Sequence, residues 1–468
     1  MILNQASQYF FCGIGGSGML PLALILKGKG FEVEGSDRAL DQGRLAEKFD
    51  FLRSAGIRLH PQDGSGITRT SQVLVASAAV ENTIPDVAAA KKLGLSMVRR
   101  AELLAELFNS APMSVAIGGT SGKSTTTGMA GWIFHDLGMQ PTIMNGAVMK
   151  NFANTSNTYA SSAVGQGTVF VSEVDESDGS ISLYNPKIAL VTNVSLDHKP
   201  LTELRELFGA FISRAETAIL NLDNPETANV KRLAKRVLTF SIADAAADIL
   251  ANDIRLFNVA TEFRVHEKSS GQDILCRIQL PGRHNVSNAL GALACAIAAG
   301  VPAKAACEAI SRFSGIKRRF DIVGTAGSIT VIDDFAHNPD KIAATFNTLH
   351  EFPGRIIVMF QPHGYGPLKL MGHELVASFS HALASEDLLV MPDPAYYGGT
   401  TIRDVGSADI VKGVIANGKN AVHEPNRADC MRLLTDAARP GDRIVIMGAR
   451  DDTLSEFAHD VLRALSIR

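Results

Sequence analysis

The stretch MSVAIGGTSGKSTTT, residues 113–127, decides how the rest of the chain is read. Met113 to Ile117 is an apolar run of strand length, Gly118 to Gly122 is a glycine-bearing loop, and Lys123 opens a helix. Glycines between a strand and a helix let backbone N–H groups approach phosphate oxygens with no Cβ in the way. The helix N-terminus adds a favourable dipole, Lys123 a charge for the β- and γ-phosphates, and Ser124 a hydroxyl for Mg2+. Gly119, Thr120, Ser121, Gly122, Lys123, Ser124 and Thr125 are therefore candidate nucleotide-binding residues. The spacing is one glycine short of G-x-x-x-x-G-K-[ST], because Ile117 stands at the first position. An ordinary strand–turn–helix with an exposed lysine is the bland alternative. On the phosphate-loop reading, Lys123 should stand exposed and pair only with phosphate.

Towards the N-terminus, QYFFCGIGGSGM (8–19) repeats the theme. A short apolar strand runs into Gly13, Gly15 and Gly18 at the G-x-G-x-x-G spacing. A second strand over 31–35 leads to Asp37, completing a Rossmann fingerprint. That pattern suits a dinucleotide such as NAD, any ligand carrying a pyrophosphate, or a purely structural turn. Residues 72–77 read as a further strand, and 109–112 break the pattern as a linker. Towards the C-terminus, strand 168–172 runs into SEVDESD (172–178), so Glu173 stands at the strand's carboxyl edge, where open α/β sheets place their ligands. Carboxylates beside a phosphate loop are hard oxygen ligands for Mg2+; a solvated acidic loop is the alternative. Strand 188–193 leads to His198, and adjacent strands ending in Glu173 and His198 would converge on one site. A lone histidine is otherwise a structural residue. The third block follows KRRF (317–320), and its strand 329–332 ends in DDFAHNP (333–339), a carboxylate pair before a turn.

At 468 residues, two to four domains are expected from roughly 100–200 residues per domain. Hydrophobic residues at 46% and charged residues at 20% exclude a disordered chain. The net charge of −3 leaves no electrostatic footprint for nucleic acid. Abundant glycine, few aromatics and alternating strand and helix predict an α/β protein of three domains. These are a Rossmann-like N-terminal domain over 1–110, a central P-loop ATPase-type parallel sheet over 111–317, and a C-terminal Rossmann-like α/β domain over 318–468. Cys12, Cys276, Cys295, Cys307 and Cys430 are odd in number and lack a CxxC pair, so they read as buried small hydrophobes. No apolar run reaches about 18 residues and no basic leader precedes the first loop, so a soluble cytoplasmic protein without a membrane partner is expected.

In order along nearly the whole chain, GIGGSGM, GTSGKSTTT, SEVDESD, NVSLDH, PGRHNVSNAL, KRRFDIVG, DDFAHNP and FQPHGY resemble the motifs of the Mur ligases. These are ATP-dependent amide-bond synthetases of peptidoglycan precursor assembly. The resemblance implies that ATP phosphorylates a substrate carboxylate and that an amine then attacks the acyl phosphate. It implies catalytic roles for Lys123, Glu173, His198 and Arg319, with Mg2+ held by Ser124, Glu173 and His198. Asn285 and Asn288 would lie on the adenine side, and Arg319 and Asp334 would reach phosphate and ribose. In the first block Gly15, Gly16, Ser17, Gly18 and Met19 would cradle the pyrophosphate of a UDP-N-acetylmuramate-type nucleotide sugar. Asp37 and Ser77 would line the uridine side, and Arg99 or Arg100 would guide the substrate carboxylate. The second partner would be an amino acid, L-alanine or a related amine.

Departures from the alanine-adding pattern cluster near substrate. Ser121 stands where a histidine is usual, DDFAHNP replaces DDYGHHP, and Gly364 replaces an arginine. Residues 365–369 replace a Thr/Arg run, and 392–399 a different acidic loop. A paralogue that ligates a peptide in cell-wall recycling is therefore the alternative. A nicotinamide-dependent oxidoreductase would leave the second phosphate loop and SEVDESD without a purpose. A non-catalytic ATP-gated binding protein would not need Lys123, Glu173 and His198 together.

Overall fold

Strands β1 (Gln8–Cys12), β2 (Glu32–Ser36), β3 (Arg58–His60), β4 (Gln72–Ala76) and β5 (Ser96–Arg99) form a wholly parallel sheet in the order β3-β2-β1-β4-β5. Tyr9, Phe10, Phe11 and Cys12 are all buried, which is why β1 reads as a continuous apolar run with no alternation. The strand order reverses between β1 and β4, and ligands of open α/β sheets bind at such a switch point. The loop Gly13–Gly18 leaves β1 there, and Ser77 follows β4. The computed structural model describes residues 8–77, 81, 83–155, 157–195, 199–395, 403–449, 451 and 453–467.

The second sheet is built from β6 (Met113–Gly118), β7 (Thr142–Met144), β8 (Ser162–Ala163), β9 (Val169–Glu173), β10 (Ile188–Val191), β11 (Thr217–Asn221), β12 (Val237–Ser241), β13 (Ile249–Phe257), β14 (Ala260–Glu267) and β15 (Gln272–Ile278). Their order is β15-β14-β13-β12-β11-β10-β6-β9-β7-β8. Neighbours from β13 through to β7 are parallel, as expected of this block. The antiparallel hairpin β14–β15 was not legible as such. Phe263 and Val265 are buried while Arg264 between them is exposed, the half-buried alternation that antiparallel strands tolerate. One expectation is corrected: β9 and β10 are not adjacent, because β6 lies between them. The phosphate-loop strand is thus flanked by the strands that lead to Glu173 and to His198.

The third sheet comprises β16 (Asp321–Ala326), β17 (Ile329–Asp334), β18 (Ile356–Gln361), β19 (Leu388–Met391), β20 (Ala421–His423) and β21 (Arg443–Gly448) in the order β16-β17-β21-β18-β19-β20. It is parallel except for β16 against β17. The chain divides into two compact units, Met1–Arg255 with Thr261–Gln279 and Asn285–Gly315, and Leu256–Ala260 with Leu280–His284 and Ile316–Arg468. The first two sheets therefore share a unit. The break at 109–112 is largely exposed but tied down at its start: Asn109 Nδ2 donates to Leu183 O at 2.9 Å, Asn185 N donates to Asn109 Oδ1 at 2.8 Å, and Phe108 just before it meets the rings of Phe170 and Tyr184. All five cysteines are free and buried. Among the described residues no helix is long and apolar enough to cross a membrane.

Candidate functional site

The phosphate loop connects β6 to the helix Lys123–Asp136, with Gly122 as its N-cap at φ 81°. Gly119 has φ +131°, and a Cβ there would lie 2.0 Å from Thr192 Oγ1. Only glycine fits, because the loop crosses directly over the end of β10. The segment after β10 braces it. Asn193 Oδ1 accepts from Thr120 Oγ1 at 2.7 Å and from Ser121 N at 3.0 Å, Asn193 Nδ2 donates to Ser121 Oγ at 2.8 Å, and Thr192 Oγ1 donates to Ser121 O at 2.7 Å. Ser121 thus spends its side chain on the brace. Asn288, on the helix Arg283–Ala298, accepts from Thr126 Oγ1 at 3.3 Å and donates to Asn285 Oδ1 at 3.3 Å. The two asparagines, three residues apart, lie together beside the first turn after the loop.

Lys123 overturns its expectation. Its Nζ donates to Glu176 Oε2 at 2.9 Å and Oε1 at 3.2 Å, and to Gly119 O at 2.6 Å. The side chains are only 14% and 4% exposed. A lysine next to a chain reversal finds the SEVDESD segment, which leaves β9 alongside β6, and there Glu176 meets it. Burial pushes the Glu176 carboxyl above its usual range, with Lys123 pulling the other way. Sequence reasoning named the acidic cluster but chose Glu173; spacing alone carries no signal that Glu176 faces the lysine.

Glu173 ends β9, and its Oε2 accepts from Gly146 N at 2.9 Å. Asn145, just before it, donates from Nδ2 to Ser124 O at 3.1 Å. The turn after β7 therefore ties the Ser124 backbone and the Glu173 side chain into one corner. Among the described residues no donor engages Glu173 Oε1, and no three His, Cys, Asp or Glu side chains form a metal cage. A hydroxyl and one fixed carboxylate suit Mg2+, which keeps waters and substrate phosphates in its octahedron. His198 lies outside the described residues, as do 396–399.

In the first sheet, Gly15 N donates to Asp37 Oδ2 at 2.9 Å while Ala39 N donates to Oδ1 at 2.8 Å. Asp37 is thus the latch of the glycine loop and the N-cap of the short helix Arg38–Asp41; each carboxylate oxygen retains a lone pair for a further donor. Arg99 is exposed and its amide donates to Glu102 Oε2. Arg100 is the one that covers the loop: its Cδ, Nε and Nη1 come within 3.1–3.2 Å of where a Gly18 Cβ would be. Arg100 also faces Asp178 at 3.7 Å.

In the other unit, the Arg319 guanidinium lies 4.4 Å over the Phe335 ring. Asp334 Oδ2 accepts from Phe320 N at 3.2 Å and Thr345 Oγ1 at 3.2 Å, and Oδ1 from Ala336 N at 2.7 Å. The buried carboxylate clamps the two loops that carry Arg319 and Phe335, and burial pushes it above its usual range. His337, whose Nδ1 is paired with Phe335 O at 2.9 Å, is pushed down to about 4 by burial.

Glycine loops at the carboxyl edges of two parallel sheets, one of them carrying a lysine and a neighbouring fixed carboxylate, define a phosphate-handling α/β enzyme. The chain belongs to the Mur ligase family: residues 8–111 match the Mur ligase family catalytic domain, 117–296 the Mur ligase middle domain, and 318–450 the Mur ligase glutamate ligase domain. It is similar to the UDP-N-acetylmuramate–L-alanine ligase of Jannaschia sp. (35% identical, 99% of this chain and 96% of that protein) and to that of Paracoccus denitrificans (34%, 99% and 98%). Its fold is similar to that of the UDP-N-acetylmuramate–alanine ligase of Thermotoga maritima (TM-score 0.78, 23% identical, 98% of this chain and 100% of that chain). A murein peptide ligase from Psychrobacter arcticus shares it too (TM-score 0.67, 24% identical, 98% of each).

Proposed function

We propose that this protein uses ATP to form an amide bond, through an acyl phosphate, between the carboxylate of UDP-N-acetylmuramate and an amino acid, L-alanine or a related amine, in peptidoglycan precursor synthesis. The observation that carries this reading is the braced phosphate loop, Gly119–Ser124, with Lys123 and Glu173 beside it, in the same unit as the Gly13–Gly18 loop. Residues 1–110, 111–317 and 318–468 are read as the nucleotide-sugar, ATP and ligase domains of a cytoplasmic enzyme. Backbone amides of the Gly119–Thr125 loop, other than those of Thr120 and Ser121, which Asn193 holds, and the Lys123 ammonium bind the phosphates and neutralise charge on the transferring phosphoryl oxygens. Ser124 and Glu173, with His198, would hold Mg2+, which would supply Lewis-acid charge at those oxygens. Asn285 and Asn288 flank the adenine, Asp334 offers its remaining lone pair to a ribose hydroxyl, and Arg319 contacts phosphate. Gly15–Met19 cradle the nucleotide-sugar pyrophosphate with Asp37 and Ser77 on the uridine side, and Arg100 replaces Arg99 as the guide for its anionic groups. Holding both substrates in line is what makes the amine's attack effectively unimolecular.

The test is phosphate release by the full-length protein with ATP, UDP-N-acetylmuramate and a panel of amines. Release should require all three; release without the nucleotide sugar would sink the proposal. Glu173→Ala is expected to raise the Mg2+ concentration at half-maximal rate by about 10–100-fold. An unchanged Mg2+ titration would place the metal elsewhere.

One observation favours an amine other than L-alanine. Gly364, where the alanine-adding pattern has an arginine, sits at φ 140°, ψ 165°, a region essentially reserved for glycine. The following side chains make their own contacts, with Lys369 Nζ donating to Asp404 Oδ2 at 2.7 Å and Arg403 lying 5.5 Å from the Tyr365 ring. Small apolar amino acids are separated by only about 1–3 kcal/mol per methylene of pocket shape, so a changed loop changes the choice. We expect kcat/KM for L-alanine to fall below that for another amine in competition among L-alanine, L-serine, glycine and an L-Ala-γ-D-Glu-containing tripeptide. A clear win for L-alanine would make the 364–369 segment irrelevant to amine choice.

A further inference from the structure

Glu176 has no part in the reaction as described, yet it holds the lysine that the reaction needs for phosphate. An ammonium has three donors, and Lys123 directs its own at Gly119 O and at both Glu176 oxygens. The lysine is folded back on its own loop, and a phosphate oxygen can be reached only by giving up an acceptor. Lys123 is the one cation that acts on Glu176 among the described residues, while Asp175 on the same segment adds a second negative charge. Glu176 itself is almost wholly buried.

We propose that Glu176 is a displaceable counter-ion, which keeps Lys123 docked on Gly119 while the loop is empty, yields it to a nucleotide phosphate on binding, and takes up a proton from solvent as the lysine leaves. This rests on the reading that the loop binds ATP. A buried carboxylate stripped of its only cation is costly to keep ionised, and neutralisation is the cheaper outcome. Lys123 keeps its own proton throughout, so the proton gained comes from the buffer and one proton at most is taken up per nucleotide. The pair thus keeps the empty loop's charge from being left uncompensated, and makes nucleotide affinity fall as pH rises.

Calorimetric titration of the full-length protein with Mg2+ and the β,γ-imido analogue of ATP, at neutral pH in two buffers of different ionisation enthalpy, reads the proton directly. The wild type should take up a large part of one proton, because burial already pushes the Glu176 carboxyl up and the Lys123 charge that opposes this is withdrawn. Glu176→Gln should lose that uptake and bind the analogue about tenfold more tightly, since no buried pair has to be opened. Glu176→Asp, which retains the charge, should keep the uptake and shows that the segment tolerates substitution. Equal uptake in the wild type and Glu176→Gln, or no gain in affinity, overturns the counter-ion role. Failure of the analogue to bind the wild type would instead overturn the ATP reading beneath it.

Discussion

Lys123→Ala is expected to lower turnover by about 10²–10³-fold or more and to destabilise the protein at the same time. The first effect follows from removing a preorganised positive charge aimed at the phosphoryl group being transferred. The second follows from the structure alone. Lys123 is bonded to Glu176 at 2.9 Å, and its loss leaves a carboxylate that is 4% exposed without a cation. Breaking a buried pair from one side costs about 3–5 kcal/mol before the orphaned group is neutralised. The double variant Lys123→Ala/Glu176→Gln should therefore recover most of the stability and none of the turnover. Urea unfolding midpoints and single-turnover phosphate release separate the two. A single variant as stable as wild type would mean the pair contributes nothing to the fold, and wild-type turnover would remove the phosphate-loop assignment.

Gly119→Ala should be as damaging to nucleotide binding, by a route that involves no charge. The added Cβ would stand 2.0 Å from Thr192 Oγ1 and 3.0 Å from Asn193 O, at a φ of +131° that side chains avoid. Strain and overpacking together are worth about 3 kcal/mol or more. The loop can escape only by moving off the brace that Thr192 and Asn193 provide, which dismantles the amide cradle. Removing the nearest obstacle with Thr192→Ala should restore part of the stability and little of the affinity, since Asn193 backbone and the positive φ remain. Thermal unfolding and titration with the ATP analogue would show it; undiminished nucleotide binding by Gly119→Ala would mean the loop's close approach to β10 is unimportant.

The contrast between Glu173 and Glu176 shows where sequence reading stops. Both belong to one acidic segment, and the unbroken buried run of β9 before it was enough to put Glu173 at the sheet edge. Which later carboxylate turns back to the lysine depends on the course of a loop, for which no periodicity exists. The same holds for Arg99 and Arg100: the break before the helix Arg100–Asn109 is legible, but which of two consecutive arginines faces the Gly18 backbone is settled by the packing of that helix against the first sheet.

The α/β class, the two glycine loops and the strands that carry them were legible in the chain, because buried parallel strands are continuous apolar runs and a phosphate loop needs glycines at set positions. So was the family, through eight motifs in order. Long-range packing set the rest: β6 separates β9 from β10, Asn109 is tied to Leu183 and Asn185, Lys123 is held by Glu176, and Thr120 and Ser121 are braced from Asn193. Those are contacts between segments 53 to 76 residues apart, and they are chosen by the order of strands in the sheet and by burial, neither of which leaves a local mark on the chain.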